Sequence, residues 1–228
     1  MSKISAIILA GGKGKRMNSN IPKQFLKLKG FPVLYYSLKA FEDSPVDEIV
    51  LVSSEEERNR CMDIINKYHI SKVKKIVAGG EERYDSVYSG LKEIKESDYV
   101  LIHDGARPLV DEEIILRNIE AMKQFNACVT GVPSKDTIKI SDSDGFVKDT
   151  PNRKDVWIVQ TPQTFSVPLI YEAYNKLFSM EKSERVHITD DAMVVEQIMK
   201  QKVKFVMGSH KNIKITTPED LETAKCFL

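Results

Sequence analysis

The chain has 228 residues, 42% hydrophobic and 29% charged, an ordinary globular composition whose length suits one large domain over 1–228. With 34 basic against 33 acidic residues the net charge is +1, which excludes a surface that holds nucleic acid or an anionic membrane by bulk electrostatics, so an anion site must be local. Cys61, Cys128 and Cys226 are widely spaced without a Cys-x-x-Cys pair, the N-terminal residues lack a signal-peptide pattern, and no apolar run approaches a membrane span, so free thiols in a reducing cytoplasm are expected.

The first strand is predicted at 6–10, and β-branched runs at 49–53, 74–78, 99–103 and 127–132 predict four more. Helical periodicity at 33–43, 55–68, 84–95 and 111–125 fills the intervals. This repeated succession predicts an α/β fold: a Rossmann-like, doubly wound, mostly parallel sheet with right-handed crossovers. After Val132 the rhythm changes, and alternating apolar residues around Ser141-Asp142-Ser143-Asp144-Gly145 predict a protruding β-hairpin arm at about 137–150. Helices at 167–178 and 190–200 and a strand at 203–207 follow. Thr217-Pro218-Glu219-Asp220 then carries the cap, first-turn proline and early acids of a last helix.

The first strand runs into Ala10-Gly11-Gly12-Lys13-Gly14-Lys15-Arg16-Met17, with Pro22-Lys23-Gln24 soon after. In an open α/β sheet, ligands lie beyond the carboxyl ends of the strands, so this loop sits where a phosphate chain would bind. Glycines let backbone N–H groups approach phosphate oxygens closely, and Arg16 and Lys23 add the charge a triphosphate requires. The spacing lacks the third glycine of a dinucleotide fingerprint and the Gly-Lys-Ser/Thr of a P-loop. An NAD-dependent oxidoreductase would also need an acid about 20 residues further on, where this chain has lysines and aromatics.

Four further stretches narrow the reading: Ala78-Gly79-Gly80-Glu81-Glu82-Arg83-Tyr84-Asp85-Ser86-Val87, His103-Asp104-Gly105-Ala106-Arg107-Pro108, Gln160-Thr161-Pro162-Gln163-Thr164-Phe165, and Asn212-Ile213-Lys214-Ile215-Thr216-Thr217-Pro218-Glu219-Asp220-Leu221. With the glycine loop, in order and at compatible spacing, they resemble the 2-C-methyl-D-erythritol 4-phosphate cytidylyltransferases, a family of the sugar- and polyol-phosphate nucleotidyltransferases. The resemblance implies CMP transfer from CTP to methylerythritol phosphate with release of pyrophosphate. It also implies magnesium bound mainly through the CTP phosphates, no metal ligands of the protein's own, and a homodimer.

By the same resemblance, Arg16 and Lys23 match the pair that stabilises the transition state, and Arg153 and Lys214 the pair that positions the acceptor phosphate. Ala10, Gly11, Gly12 and Gly14 line the nucleotide, Gly80, Glu81 and Ser86 match the segment that holds cytosine, and Asp104 and Gly105 match contacts at the fourth strand's end. Arg107, Thr137, Thr161 and Thr189 match acceptor contacts, with Thr137 and Arg153 expected to reach across the dimer.

The chain departs from the family where it has Leu9-Ala10-Gly11-Gly12 in place of Pro-Ala-Ala-Gly and Glu81 in place of aspartate. The first loop, Asn152-Arg153 and Gln163-Thr164-Phe165 are also similar to the ribitol 5-phosphate cytidylyltransferases of wall polymer synthesis. Gly105-Ala106 and Asp191-Ala192 speak against that relative. Taken by themselves, Asp104 could cap a loop, Arg107 could brace one, His103 reads as a satisfied buried histidine and Trp157 as packing, while His69, His187 and His210 have no metal-ligand spacing.

Overall fold

The structure is a computed structural model that describes residues 2–12, 17, 21–185 and 187–228. In β1 (Ile4–Leu9) the side-chain period of two sends Ala6 and Ile8 to one face of the sheet and Ile7 to the other. Both faces are covered, which is why the strand reads as a continuous apolar run. A small antiparallel pair that the sequence pattern does not reveal, β2 (Lys27–Leu28) and β3 (Phe31–Pro32), turns at Lys29 and Gly30 with φ of 44° and 91°. It leads into α1 (Val33–Glu42).

The expected alternation follows: β4 (Glu48–Ser53), α2 (Arg58–Lys67), β5 (Val73–Ala78), α3 (Arg83–Leu91), β6 (Tyr99–Asp104), α4 (Glu112–Ala121) and β7 (Ala127–Pro133). Two helix bounds are corrected. Residues 55–57 form a separate 3-10 turn ahead of α2. The helix expected at 84–95 starts at Arg83, where the Asp85 carboxylate accepts the Glu82 N–H at 2.9 Å, and ends at Leu91, beyond which Glu93 N–H closes a tighter turn on the Gly90 carbonyl.

The arm is shorter than its pattern suggests: β8 (Ile140–Ser141) pairs with β9 (Val147–Asp149). Its loop is organised by Asp142, whose Oδ1 accepts the Asp144 and Phe146 N–H groups, and by Gly145 at φ +87°. Next comes β10 (Trp157–Ser166), which the sequence reading treats as a motif and not as a strand. It runs antiparallel between β6 and β7, deep in the sheet. Pro162 conceals it, because proline has no N–H for a central ladder; the register shifts between Val159 and Gln163, so Pro162 falls at an irregularity. The chain closes with α5 (Val167–Ser179), α6 (Asp191–Ile198), β11 (Lys204–Met207) and α7 (Pro218–Phe227), the last started by the Thr217–Asp220 capping box.

The seven-stranded sheet has the order β11-β7-β10-β6-β1-β4-β5 and is parallel except at β10. Helices α1, α2 and α4 pack on the face that carries Ala6, Ile8, Leu51 and Leu101. Helices α3, α5 and α6 cover the face of Ile7, Val52, Ile102 and Phe165. The chain winds from β1 through β4 to β5, then returns to the other side of β1 to form β6. This reversal opens a crevice at the carboxyl ends of β1 and β6, the place where doubly wound sheets bind ligands.

Candidate active site

On the β1 side of the crevice, Ala10 donates its N–H to the Val52 carbonyl at 2.7 Å, and its own carbonyl accepts Nε2 of buried Gln24 at 2.6 Å. The loop's start is thus pinned to β4 and to the Lys23–Phe25 turn, while Gly12 takes φ +106°, a backbone conformation only glycine adopts freely. Among the described residues no atom stands within 4 Å of where a Cβ would lie on Gly11 or Gly12. Lys23 begins that 3-10 turn and is half-buried. Gly14 and Arg16 lie outside the described residues.

Beyond β5, the Ser86 hydroxyl accepts the Gly80 N–H at 3.1 Å and donates to the Glu82 carbonyl at 3.3 Å. This folds the Gly79–Gly80 backbone tightly over the start of α3: a Cβ on Gly80 would lie 2.2 Å from that of Asp85. Glu81 projects outward and pairs with Lys182 at 2.7 Å, a contact that lowers the Glu81 pKa.

The end of β6 carries the charged centre. Gly105 lets the strand end approach β1, since a Cβ there would meet Leu34 Cδ1 at 2.9 Å and the Leu9 carbonyl at 3.0 Å. Asp104 is buried; its Oδ1 accepts Nε of Arg83 at 3.3 Å and its Oδ2 lies 2.7 Å from Nζ of Lys214. Burial alone would raise the Asp104 pKa, but Arg83, Lys214 and Arg107 outweigh it and hold the carboxyl far below the usual range. Arg107 braces the loops, donating to the carbonyls of Asn212 at 2.8 Å and Val159 at 3.4 Å.

His103 and Thr161 fix one another. Nε2 of His103 lies 3.3 Å from the Arg107 carbonyl, which can only accept, so that nitrogen carries the proton. Burial pushes the imidazole pKa down to about 3, so the ring is neutral and Nδ1 accepts the Thr161 hydroxyl at 3.0 Å. Thr161 in turn accepts the Asp104 N–H at 3.0 Å. Its hydroxyl proton is thereby committed to His103, and the side chain orients the Asp104 backbone.

Of the expected site residues, Asp104, Arg107, Thr161 and Lys214 therefore form one hydrogen-bonded centre, and Gly80 and Ser86 form a second close by in sequence to Arg83. Thr137 and Arg153 lie exposed at the base of the arm, where Arg153 donates to the Lys135 carbonyl at 3.2 Å; among the described residues no hydrogen bond or ion pair joins them to Asp104 or Lys214. Thr189 is exposed, with its hydroxyl 3.7 Å from the Met193 sulfur.

Sequence reasoning missed the role of Arg83 and Asp191, which form a bidentate pair at 2.9 and 2.8 Å across 108 positions. Both lie inside motif stretches, but nothing in the sequence pairs them. Among the described residues no cluster of three or more His, Cys, Asp or Glu side chains is arranged to hold a metal ion.

A sheet wound in this order, with a glycine loop after β1 and lysine and arginine converging on a strand-end aspartate, defines a doubly wound α/β protein with a charged ligand crevice at the ends of β1 and β6, and the comparisons make it a nucleotidyltransferase. The family described as IspD, 2-C-methyl-D-erythritol 4-phosphate cytidylyltransferase, matches residues 4–228. The chain belongs to that family. It is 51% identical over 225 residues to the 2-C-methyl-D-erythritol 4-phosphate cytidylyltransferase of Lachnospira eligens, covering 98% of each chain. A Clostridium botulinum protein of the same name is 53% identical over 223 residues, covering 97% of this chain and 95% of the relative. The crystal structure of 4-diphosphocytidyl-2C-methyl-D-erythritol synthase from Anaerococcus prevotii superposes with a TM-score of 0.86 at 38% identity, covering 99% of this chain and 96% of that one.

Proposed function

We propose that this chain transfers CMP from CTP to 2-C-methyl-D-erythritol 4-phosphate and releases pyrophosphate, a step of isoprenoid precursor biosynthesis. The observation that carries the reading is the Lys214–Asp104 ion pair in the β1/β6 crevice of a chain whose family match runs from residue 4 to 228. The ribitol 5-phosphate reading suggested by the first loop is not favoured, since these relatives bear the methylerythritol phosphate name.

In this reading the triphosphate lies along Ala10, Gly11, Gly12 and Gly14, and the cytosine lies against Gly80, Glu81 and Ser86. A phosphate oxygen of the acceptor attacks the α-phosphorus of CTP, the bond from that phosphorus to the oxygen bridging the β-phosphate breaks, and pyrophosphate leaves with the electron pair. A phosphate monoester is largely dianionic at neutral pH, its second pKa being about 6, so the attacking oxygen needs no general base. Positioning and charge stabilisation carry such a transfer.

Arg16 and Lys23 neutralise charge developing on the triphosphate, while Arg153 and Lys214 hold the acceptor phosphate, with Asp104, Arg107, Thr161 and Thr189 shaping the acceptor's surroundings. Both oxygens of Asp104 are already engaged by cations, so magnesium fits this site as a counter-ion carried by the CTP phosphates.

The reading includes one nucleotidyltransferase domain over 1–228 that works as a homodimer in the cytoplasm. Support for the dimer comes from the arm, where Phe146 and Val147 are 72% and 62% exposed on a two-stranded hairpin that would be marginally stable alone. A partner covering these side chains would bring Thr137 and Arg153 of one subunit toward the crevice of the other. The free cysteines suit a reducing compartment, and no described helix is long and apolar enough to cross a membrane. The test is pyrophosphate release with CTP and magnesium: kcat/KM higher for methylerythritol 4-phosphate than for ribitol 5-phosphate supports the proposal, and the reverse order overturns it.

A further inference from the structure

Charges alternate along four side chains at the carboxyl end of the sheet: Asp191, Arg83, Asp104 and Lys214. Asp191 is the first residue of α6, Arg83 the first of α3 and Asp104 the last of β6. Asp191 is fully buried and held from several sides. Its carboxylate accepts both terminal nitrogens of Arg83 and the Tyr174 hydroxyl at 2.6 Å, and Gln163 Oε1 accepts the Asp191 and Ala192 N–H groups at 3.0 and 2.8 Å. An immovable carboxylate fixes the plane of the guanidinium, and that plane directs Nε at Oδ1 of Asp104.

We propose that Arg83 is a positioning residue for the transfer reaction, which by occupying one oxygen of Asp104 leaves Lys214 held by the other oxygen alone and its ammonium directed at the substrate phosphates. Without Arg83, Asp104 would turn its whole charge on Lys214 and withdraw it from the reactants. Lysine cannot take over the task, because one ammonium on a flexible stem cannot meet Asp191 with two parallel bonds and Asp104 with a third. The inference rests on the reading of Lys214 as a cation for substrate phosphate. The alternative is that Arg83 only ties α3 to α6.

A double variant separates the two. Arg83→Gln with Asp191→Asn replaces the buried ion pair by neutral amides, and such exchanges are often neutral for stability, whereas removing one partner alone is not. The expected result is a melting temperature close to wild type, KM for CTP little changed, and kcat lower by about 10-fold to 100-fold, the worth of one hydrogen bond to a charged group. Arg83→Lys, which keeps a cation for buried Asp191 but not the bond to Asp104, should lose kcat similarly and serves if the double variant does not fold.

Wild-type kcat in the folded double variant or in Arg83→Lys overturns the inference. Lys214→Ala is measured alongside. If it is inactive while the Arg83 variants are normal, only the Arg83 inference fails. If Lys214→Ala itself turns over normally, the assignment of Lys214 fails instead.

Discussion

Because His103 is fully buried, acid should destabilise this fold before most of its carboxylates protonate. Burial disfavours the imidazolium and lowers the pKa from 6.5 to about 3. In the unfolded chain the ring takes up a proton near pH 6.5, so between these values the unfolded state binds one more proton than the folded state. Stability therefore falls as pH falls across that window, by about 1.4 kcal/mol per unit. By pH 4.5 the loss relative to pH 8 is about 2.7 kcal/mol, a figure insensitive to the folded pKa because pH 4.5 lies well above it.

For a chain of 228 residues that corresponds to a drop in Tm of about 5–11 °C. The control is His103→Asn, which keeps an acceptor for Thr161 but has no group that titrates. It loses the contact with the Arg107 carbonyl and the ring packing on Phe41, at a cost of about 1–3 kcal/mol at pH 8. Urea titrations of both proteins from pH 8 to 4.5 should converge as pH falls, the wild type losing about 2.7 kcal/mol more than the variant. Parallel curves would refute the reasoning. Asp104 has the opposite linkage: its depressed pKa contributes stability present above the unfolded value of about 3.9 and lost below it, outside the measured window.

Lys23→Ala should lower kcat by about 10²-fold to 10³-fold while Tm barely changes, because it removes charge directed at the transition state; near-normal turnover with CTP and acceptor would take Lys23 out of the catalytic set. Phe146→Asp, at an arm side chain that is 72% exposed, should raise the dimer dissociation constant at least about tenfold by placing a charge in a desolvated contact, and activity should fall with dimer content. Light scattering at micromolar concentration checks this, and a fully active monomeric wild type would remove the dimer from the account.

The parallel half of the sheet was legible because each of its strands carries its own signal. The run Ala6-Ile7-Ile8 is apolar on both faces since helices cover both, and Thr217-Pro218-Glu219-Asp220 announces α7 through local capping chemistry alone. β10 was not legible as a strand because Gln160, Thr161 and Gln163 face polar partners in the interior and Pro162 breaks the strand rule. Gln163, for example, spends its amide on the start of α6, a requirement that exists only once the two elements meet. The same applies at the site. Gly12 could be read from backbone needs and Gly80 from the family resemblance, but the bond from Arg83 to Asp191 and the commitment of Thr161 to His103 join distant segments and follow from tertiary structure.

The central claim, that a phosphate oxygen of methylerythritol 4-phosphate displaces pyrophosphate from CTP, is tested most directly by 31P NMR of a complete reaction in which the acceptor phosphate carries 18O. The account predicts a cytidine diphosphate-linked product with 18O in the bridge between its two phosphorus atoms, together with unlabelled pyrophosphate, and no pyrophosphate when the acceptor is left out. Label in the pyrophosphate, or no product from methylerythritol 4-phosphate where ribitol 5-phosphate gives one, would contradict it.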